Sequence, residues 1–329
     1  MNEVLKVEDL EVGVPTEQGF ANIVNGVSFS LEKGKTLGIV GESGCGKSMT
    51  SLSLMGLLPP AVSYRGGTIN LKDNELTSIP KKAWRKLRGK DIAMIFQEPM
   101  TSLNPVYTIG SQIVELILNH RKISKKDAYA HALKMLQLVG IPRAEEVLHE
   151  YPHQLSGGMR QRVMIAMALS CNPEVLVADE PTTALDVTIQ AQILELMKSL
   201  QEELKMSILL ITHDLGVVAE MCDKVVVMYA GEIVEESTVI ELFESPKHPY
   251  TKGLIASLPD IEDEKEYLSS IPGTVPSPTD MPPGCRFAPR CTFAHEQCRQ
   301  APPVVSVNQE SRTKCWLYVK EEIPVKEGM

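Results

Sequence analysis

An α/β fold built on a mostly parallel sheet is predicted by three observations. Short β-branched runs (GIV at 38–40, IAMIF at 92–96, VLVAD at 175–179, ILLIT at 208–212, KVVVMY at 224–229) alternate with helical stretches, the pattern of strands joined by crossover helices. A glycine-rich segment, GESGCGKS at 41–48, stands between one of those strands and an apolar helix start. Of the 22 prolines, 12 follow Ser245, so the regular fold is expected to end near residue 245.

The remaining elements follow in order. The opening stretch to residue 36 and GTINLKDNEL at 67–76 alternate in a way that suits antiparallel strands and hairpins. Apolar positions at helical spacing (Ile113, Leu116, Ile117, then Ala132, Met135, Leu136, Val139) predict a helical insert within about 98–170. The basic run KKAWRKLRGK at 81–90 reads as a solvated helix face rather than a nucleic-acid site. Residues 1–245 are expected to form one large domain and 246–329 a small region rich in Pro, Gly and Cys, whose thin apolar content calls for a staple or a partner.

Composition narrows the function. The 42 Asp and Glu outnumber the 33 Lys and Arg, giving a net charge of -9, so no bulk positive field draws this chain to nucleic acid. The apolar runs fall far short of the roughly 20 residues that cross a bilayer. MNEVLKVEDLEV at the amino terminus has neither a basic start nor an apolar core, so no secretory leader is expected. The seven cysteines are therefore expected to sit in a reducing compartment, without structural disulfides.

The glycine-rich segment has the G-x4-G-K-S spacing of a phosphate cradle, in the strand-then-helix context that makes it specific. Gly41, Gly44 and Gly46 let the backbone wrap an oxyanion, with Ser43 and Cys45 between them, and the helix start at Lys47, Ser48 and Met49 points amides at the β- and γ-phosphates. Lys47 adds a fixed positive charge, Ser48 offers a hydroxyl to Mg²⁺, and Asp179 closes a hydrophobic strand where it can hold the same ion. Glu180 comes next, placed to deprotonate or orient a water that attacks the γ-phosphate, and His213 can sense the terminal phosphate. ATP hydrolysis with Mg²⁺ is the predicted chemistry.

GESGCGKS, LSGGMRQRV at 155–163, VLVADEPTTALD at 175–186 and His213 in ITHD together resemble the motif set of the nucleotide-binding subunits of ABC transporters. The resemblance implies an ABC-type P-loop ATPase domain that works as a head-to-tail dimer. In such a dimer Ser156, Gly157 and Gly158, with Gln161 in the same stretch, close over ATP held by a second subunit. It further implies that Gln97 touches Mg²⁺ and reports to the membrane partner, that Asp186 communicates across the dimer, and that His213 contacts the γ-phosphate. Taken singly, Gln97 reads as a loop amide, His213 as a strand-end histidine and Ser156 as a helix N-cap. Two positions depart from the pattern. Cys45 stands where the family usually has a small hydroxyl, pointing away from phosphate yet offering a thiol to alkylating reagents. Phe20 is the nearest candidate for the adenine-stacking aromatic.

After residue 245, SPKHPYTKGLIASLP, IPGTVPSP and PPGCRFAPRC resemble the carboxy-terminal extension of ATP-binding subunits of dipeptide, oligopeptide and nickel importers, and MTSLNPVYTIG after Gln97 resembles the permease-facing loop of that subfamily. Cys285, Cys291, Cys298 and Cys315 have five, six and sixteen residues between them. The spacing lacks short zinc knuckles and suits an iron–sulfur cluster, with zinc or unligated thiols as alternatives and His295 as a substitute ligand or a surface residue. The resemblance also implies a [4Fe-4S] cluster. The expected assembly is a second ATPase subunit (a paralogue), two transmembrane permeases and an extracytoplasmic solute-binding protein, with this chain peripheral on the cytoplasmic face of the membrane. The substrate is a di- or oligopeptide, with a nickel chelate as the alternative cargo. A soluble ABC ATPase acting on ribosomes or DNA is the competing reading, disfavoured by one cassette, no sustained heptads and the acidic balance.

Overall fold

The computed structural model describes residues 2–17, 19–97, 102–183, 185–258 and 270–319. The first residues of the expected helical insert and of the permease-facing loop, Ala184 of TALD and the last ten residues lie outside that range. Two sheets organise the chain. The smaller is antiparallel: β1 (Glu3–Thr16), β2 (Gly19–Glu32), β4 (Ser63–Leu71) and β5 (Asn74–Glu75), in the order β2-β1-β4-β5. It forms where alternation was read from the sequence.

The larger sheet has eight strands in the order β11-β12-β10-β9-β3-β8-β7-β6. Its centre is parallel: β3 (Thr36–Val40), β6 (Ile92–Ile95), β7 (Val175–Asp179), β8 (Ser207–Thr212) and β9 (Lys224–Tyr229). Every residue of β3, β7 and β8 is buried, which explains runs of Val, Ile and Leu without alternation. β10 (Glu232–Thr238) runs antiparallel to β9. β12 (Ser311–Lys314) pairs with β10 and β11 (Val304–Ser306) pairs with β12, so the proline-rich tail extends the sheet of the ATPase region. The partner that the tail lacked in composition is the chain's own sheet edge.

Helices cover both faces. α1 (Lys47–Leu54) follows β3, and α2 (Lys81–Leu87) carries the basic run, burying only Trp84. The insert contains α3 (Ile109–His120), α4 (Lys125–Leu138), α5 (Ala144–Val147) and α6 (Gly157–Leu169). Thr108, Ser124 and Ser156 each cap the helix that follows them by accepting a backbone hydrogen bond. α7 (Val187–Leu204), α8 (Leu215–Met221), α9 (Val239–Glu244) and α10 (Pro249–Ala256) complete the described helices of eight or fewer to eighteen residues. One core joins the insert to a face of the large sheet and a second fills the space between that sheet, α1 and the small sheet. A third holds Tyr229, Tyr250 and Phe287, tying β9, α10 and the tail together through ring contacts of 4.7 to 5.4 Å.

Candidate functional site

β3, β7 and β8 are parallel neighbours, so the segments that leave their carboxyl ends gather on one side of the sheet. After β3 the chain turns through Gly41, Gly44 and Gly46, whose φ values are 155°, 80° and 105°. A side chain at Gly41 would meet the Met228 carbonyl oxygen at 2.2 Å, so the wrap needs glycine there for space as well as for backbone freedom. Gly46 caps α1 without any side-chain hydrogen bond, leaving the first amides of that helix open to an anion. Lys47 is buried and its Nζ donates to the carbonyls of Gly41 at 2.6 Å and Glu42 at 3.0 Å.

Across the crevice, Asp179 Oδ2 accepts a hydrogen bond from Ser51 Oγ at 2.9 Å, while its buried Oδ1 has no partner. Burial raises the Asp179 pKa, only partly offset by hydrogen bonds from Ser51 and Ser48. A buried carboxylate oxygen with a free lone pair, beside a serine hydroxyl, fits a hard cation such as Mg²⁺.

Glu180 has a left-handed backbone with φ 47°, a costly conformation for a non-glycine residue, and its amide is anchored on Ile211 O at 2.8 Å. That backbone aims the carboxylate inward. Oε2 accepts from Gln97 Nε2 at 2.8 Å and Thr183 Oγ1 at 2.9 Å, and Oε1 lies 3.1 Å from His213 Nδ1. Burial alone would raise the Glu180 pKa, but hydrogen bonds from His213 and Thr183 and the nearby charges of His213 and Lys47 outweigh it and hold the carboxyl below its ordinary range. Ser43, Lys47, Gln97, Glu180 and His213 line one cavity of about 530 Å³.

Other expected residues lie elsewhere on this chain. Ser156 is exposed, its Oγ spent on capping α6, and a side chain at Gly157 would meet nothing within 4 Å. Gln161 is buried and donates to Pro181 O, joining α6 to the segment after Glu180. Asp186 caps α7 through a 2.9 Å bond from Ile189 N. Met49 packs in the second core. Phe20 sits in the β1–β2 hairpin opposite Pro15, with the Arg65 guanidinium 4.2 Å above its ring, and does not line the cavity. Cys45 requires a correction: its thiol is fully buried and burial pushes its pKa up, so the loop does not present a ready nucleophile to alkylating reagents.

Sequence reasoning missed the tail's contribution to this site. Arg290 forms a fork with the Glu42 carboxylate, at 2.6 and 3.0 Å, and the Glu42 amide donates to Tyr250 Oη at 2.8 Å. No local signal marks a pair 248 residues apart. The tail cysteines lie near one another: Cys315 is pushed up to about 11 by burial and then by the charges of Cys285, Cys291 and Cys298. Cys298 Sγ is also 3.6 Å from His295 Nδ1. Among the described residues no three His, Cys, Asp or Glu side chains are grouped closely enough to hold a single metal ion.

Comparisons place these observations among known proteins. The family described as "ABC transporter" matches residues 24–183, and "Oligopeptide/dipeptide transporter, C-terminal region" matches 234–298. The chain is 53% identical to the oligopeptide transport ATP-binding protein AppD of Bacillus subtilis (strain 168), over 98% of each chain. It is 53% identical to the dipeptide transport ATP-binding protein DppD of the same organism, over 96% of this chain and 95% of that one. Among solved structures it resembles the dimeric, post-hydrolysis ATP-binding cassette MJ0796 bound to ADP and Pi, at a TM-score of 0.64 and 25% identity, over 71% of this chain and 98% of that one.

Proposed function

The chain belongs to the ATP-binding subunits of the oligopeptide and dipeptide ABC transporters, and from that membership we propose how its site works. It is an ATPase that couples hydrolysis to peptide import. The α1 amides and Lys47 bind the β- and γ-phosphates, Lys47 exchanging its two loop carbonyls for phosphate oxygens. Ser48, Asp179 and Gln97 would hold Mg²⁺, which supplies charge neutralisation on those phosphates. Glu180 takes the proton of the attacking water, with Gln97, Thr183 and His213 fixing its carboxylate, and His213, more exposed than Glu180, meets the γ-phosphate.

The open surface at Ser156 and Gly157 suits the head-to-tail pairing, in which these residues of one subunit cover ATP held by the other. A site shared between two chains gives ATP higher affinity for the closed pair than for the open one, the only way a ligand can shift such an equilibrium. The partner is a second ATPase subunit, with Asp186 at the shared face. The pair works on two permeases supplied by a solute-binding protein, peripheral on the cytoplasmic side. No helix among the described residues is long and apolar enough to cross a membrane. The permease seats in the apolar groove between Leu57, Met94, Phe96, Leu116 and Met164, where Phe96 precedes Gln97. The ATPase domain ends near 245 and the tail region follows. Cys285, Cys291, Cys298 and Cys315, close enough for Cys315 to feel the charges of the other three, would hold a [4Fe-4S] cluster that staples the tail.

The convergence of Lys47, Gln97, Glu180 and His213 on one cavity beneath uncapped helix amides carries this reading. Its test is uptake of labelled peptide by vesicles holding the permeases, this subunit and its partner ATPase subunit, with the solute-binding protein supplied. Uptake that requires internal ATP and stops with Lys47→Ala is expected; uptake indifferent to either overturns it.

A further inference from the structure

Glu42 is a junction. Its carbonyl accepts from Lys47 Nζ at 3.0 Å, its amide donates to Tyr250 Oη at 2.8 Å, and its carboxylate is held by the fork of Arg290. Arg290 is buried, and every guanidinium nitrogen is engaged. Nε donates to Pro272 O at 2.8 Å, Nη1 to Glu42 Oε2 at 2.6 Å and Tyr229 Oη at 3.4 Å, and Nη2 to Glu42 Oε1 at 3.0 Å and Ile271 O at 3.2 Å. Tyr250 is fully buried against Tyr229 and Phe287. Neither residue has freedom to follow the loop if the loop moves.

We propose that Arg290 and Tyr250 are positioning residues for the phosphate loop, holding Glu42 in place while Lys47 turns from the loop carbonyls to a nucleotide. Without such an anchor, the ammonium that now bonds Gly41 and Glu42 keeps the loop folded on itself, and phosphate entry must pull both apart. The anchor holds the amide and carboxylate of Glu42, while Lys47 uses only its carbonyl, and the carboxylate is held by a charge-assisted bidentate contact that an ammonium cannot reproduce. Arg290 and Tyr250 of the carboxy-terminal region thereby set nucleotide affinity without themselves lining the nucleotide cavity. This inference rests on the ATPase reading.

Binding of a fluorescent ATP analogue to the purified subunit, with KM and kcat of the assembled transporter, tests it. Arg290→Gln and Glu42→Gln are each expected to raise Kd and KM about tenfold with a much smaller change in kcat, and Tyr250→Phe to raise them about threefold. The Arg290→Gln/Glu42→Gln double variant is expected to be no weaker than the weaker single, because both cut one link. Arg290→Lys is expected not to restore affinity, although it keeps the charge. Single variants within about twofold of wild type, additive losses, or recovery with lysine overturn the proposal. If Arg290→Gln fails to fold, Glu42→Gln, which leaves the tail sequence intact, decides alone. Wild-type protein that binds no nucleotide overturns the ATPase reading instead.

Discussion

Glu180 and His213 meet at 3.1 Å, Oε1 to Nδ1, at the ends of two adjacent parallel strands. Because the same carboxylate also takes bonds from Gln97 and Thr183 and its pKa is held down, it stays ionised at neutral pH. In the base role proposed above, such a carboxylate would gain its effect from orientation toward a water rather than from intrinsic strength.

Glu180→Gln is therefore expected to keep ATP binding while hydrolysis falls by about two orders of magnitude or more. Phosphate release under saturating ATP, with nucleotide binding measured on the same sample, checks this. Near wild-type turnover removes Glu180 from the mechanism.

Ser156→Arg puts a bulky cation on an exposed surface that touches nothing of the subunit's own cavity. Nucleotide affinity of the isolated subunit is expected to persist, while turnover of the assembled pair drops about a hundredfold, the scale of losing a group that contacts the transferring phosphate. Equal turnover in the assembled variant would falsify the shared site.

His248 is fully buried, accepts a bond from Tyr250 N at its Nδ1, and has its pKa lowered to about 3 by burial. The unfolded chain, with an ordinary histidine near 6.5, binds a proton that the folded chain refuses, so stability falls as pH drops through the interval from about 6.5 to 3. Between pH 7 and 5 this amounts to about 2 kcal/mol. Glu235, whose carboxylate accepts from the Lys247 and His248 amides, has a pKa raised by burial and acts with the opposite sign as pH crosses the carboxylate range. Comparing wild type with His248→Gln in urea at both pH values isolates the histidine: the variant should lose about 2 kcal/mol less, and identical losses refute the assignment.

Alkylation should spare the phosphate loop. N-ethylmaleimide on folded, cluster-free protein is expected to modify partly exposed tail thiols such as Cys298 well before Cys45, with ATP binding retained, because burial suppresses both access and thiolate formation at Cys45. Peptide mapping after timed quenching reads the order, and early modification of Cys45 contradicts it.

Much of the catalytic cavity was legible because its parts are local motifs whose spacing already encodes a strand end and a helix start. GESGCGKS carries its own glycines, lysine and serine, and Asp179 with Glu180 sits at a strand end announced by four apolar residues. The long-range contacts were not legible. Tyr250 and Arg290 reach Glu42 where the rings of Tyr250 and Phe287 pack on Tyr229 of β9, a long-range contact with no local trace. The surroundings of Phe20 were hidden for a related reason: its neighbours are set by hairpin register, which brings Arg65 over the ring. Cys45 was read from motif position, whereas its reactivity depends on burial that only packing supplies.

β12 lies along β10 from Glu235↔Thr313 to Ser237↔Ser311. Cutting the chain near residue 245 to obtain a minimal ATPase would therefore leave β10 as a naked border of unpaired amides and carbonyls, open to strands from other molecules. A shortened subunit of this kind should self-associate and precipitate, so solubility screens of truncations would report on a bare sheet margin before they report on catalysis.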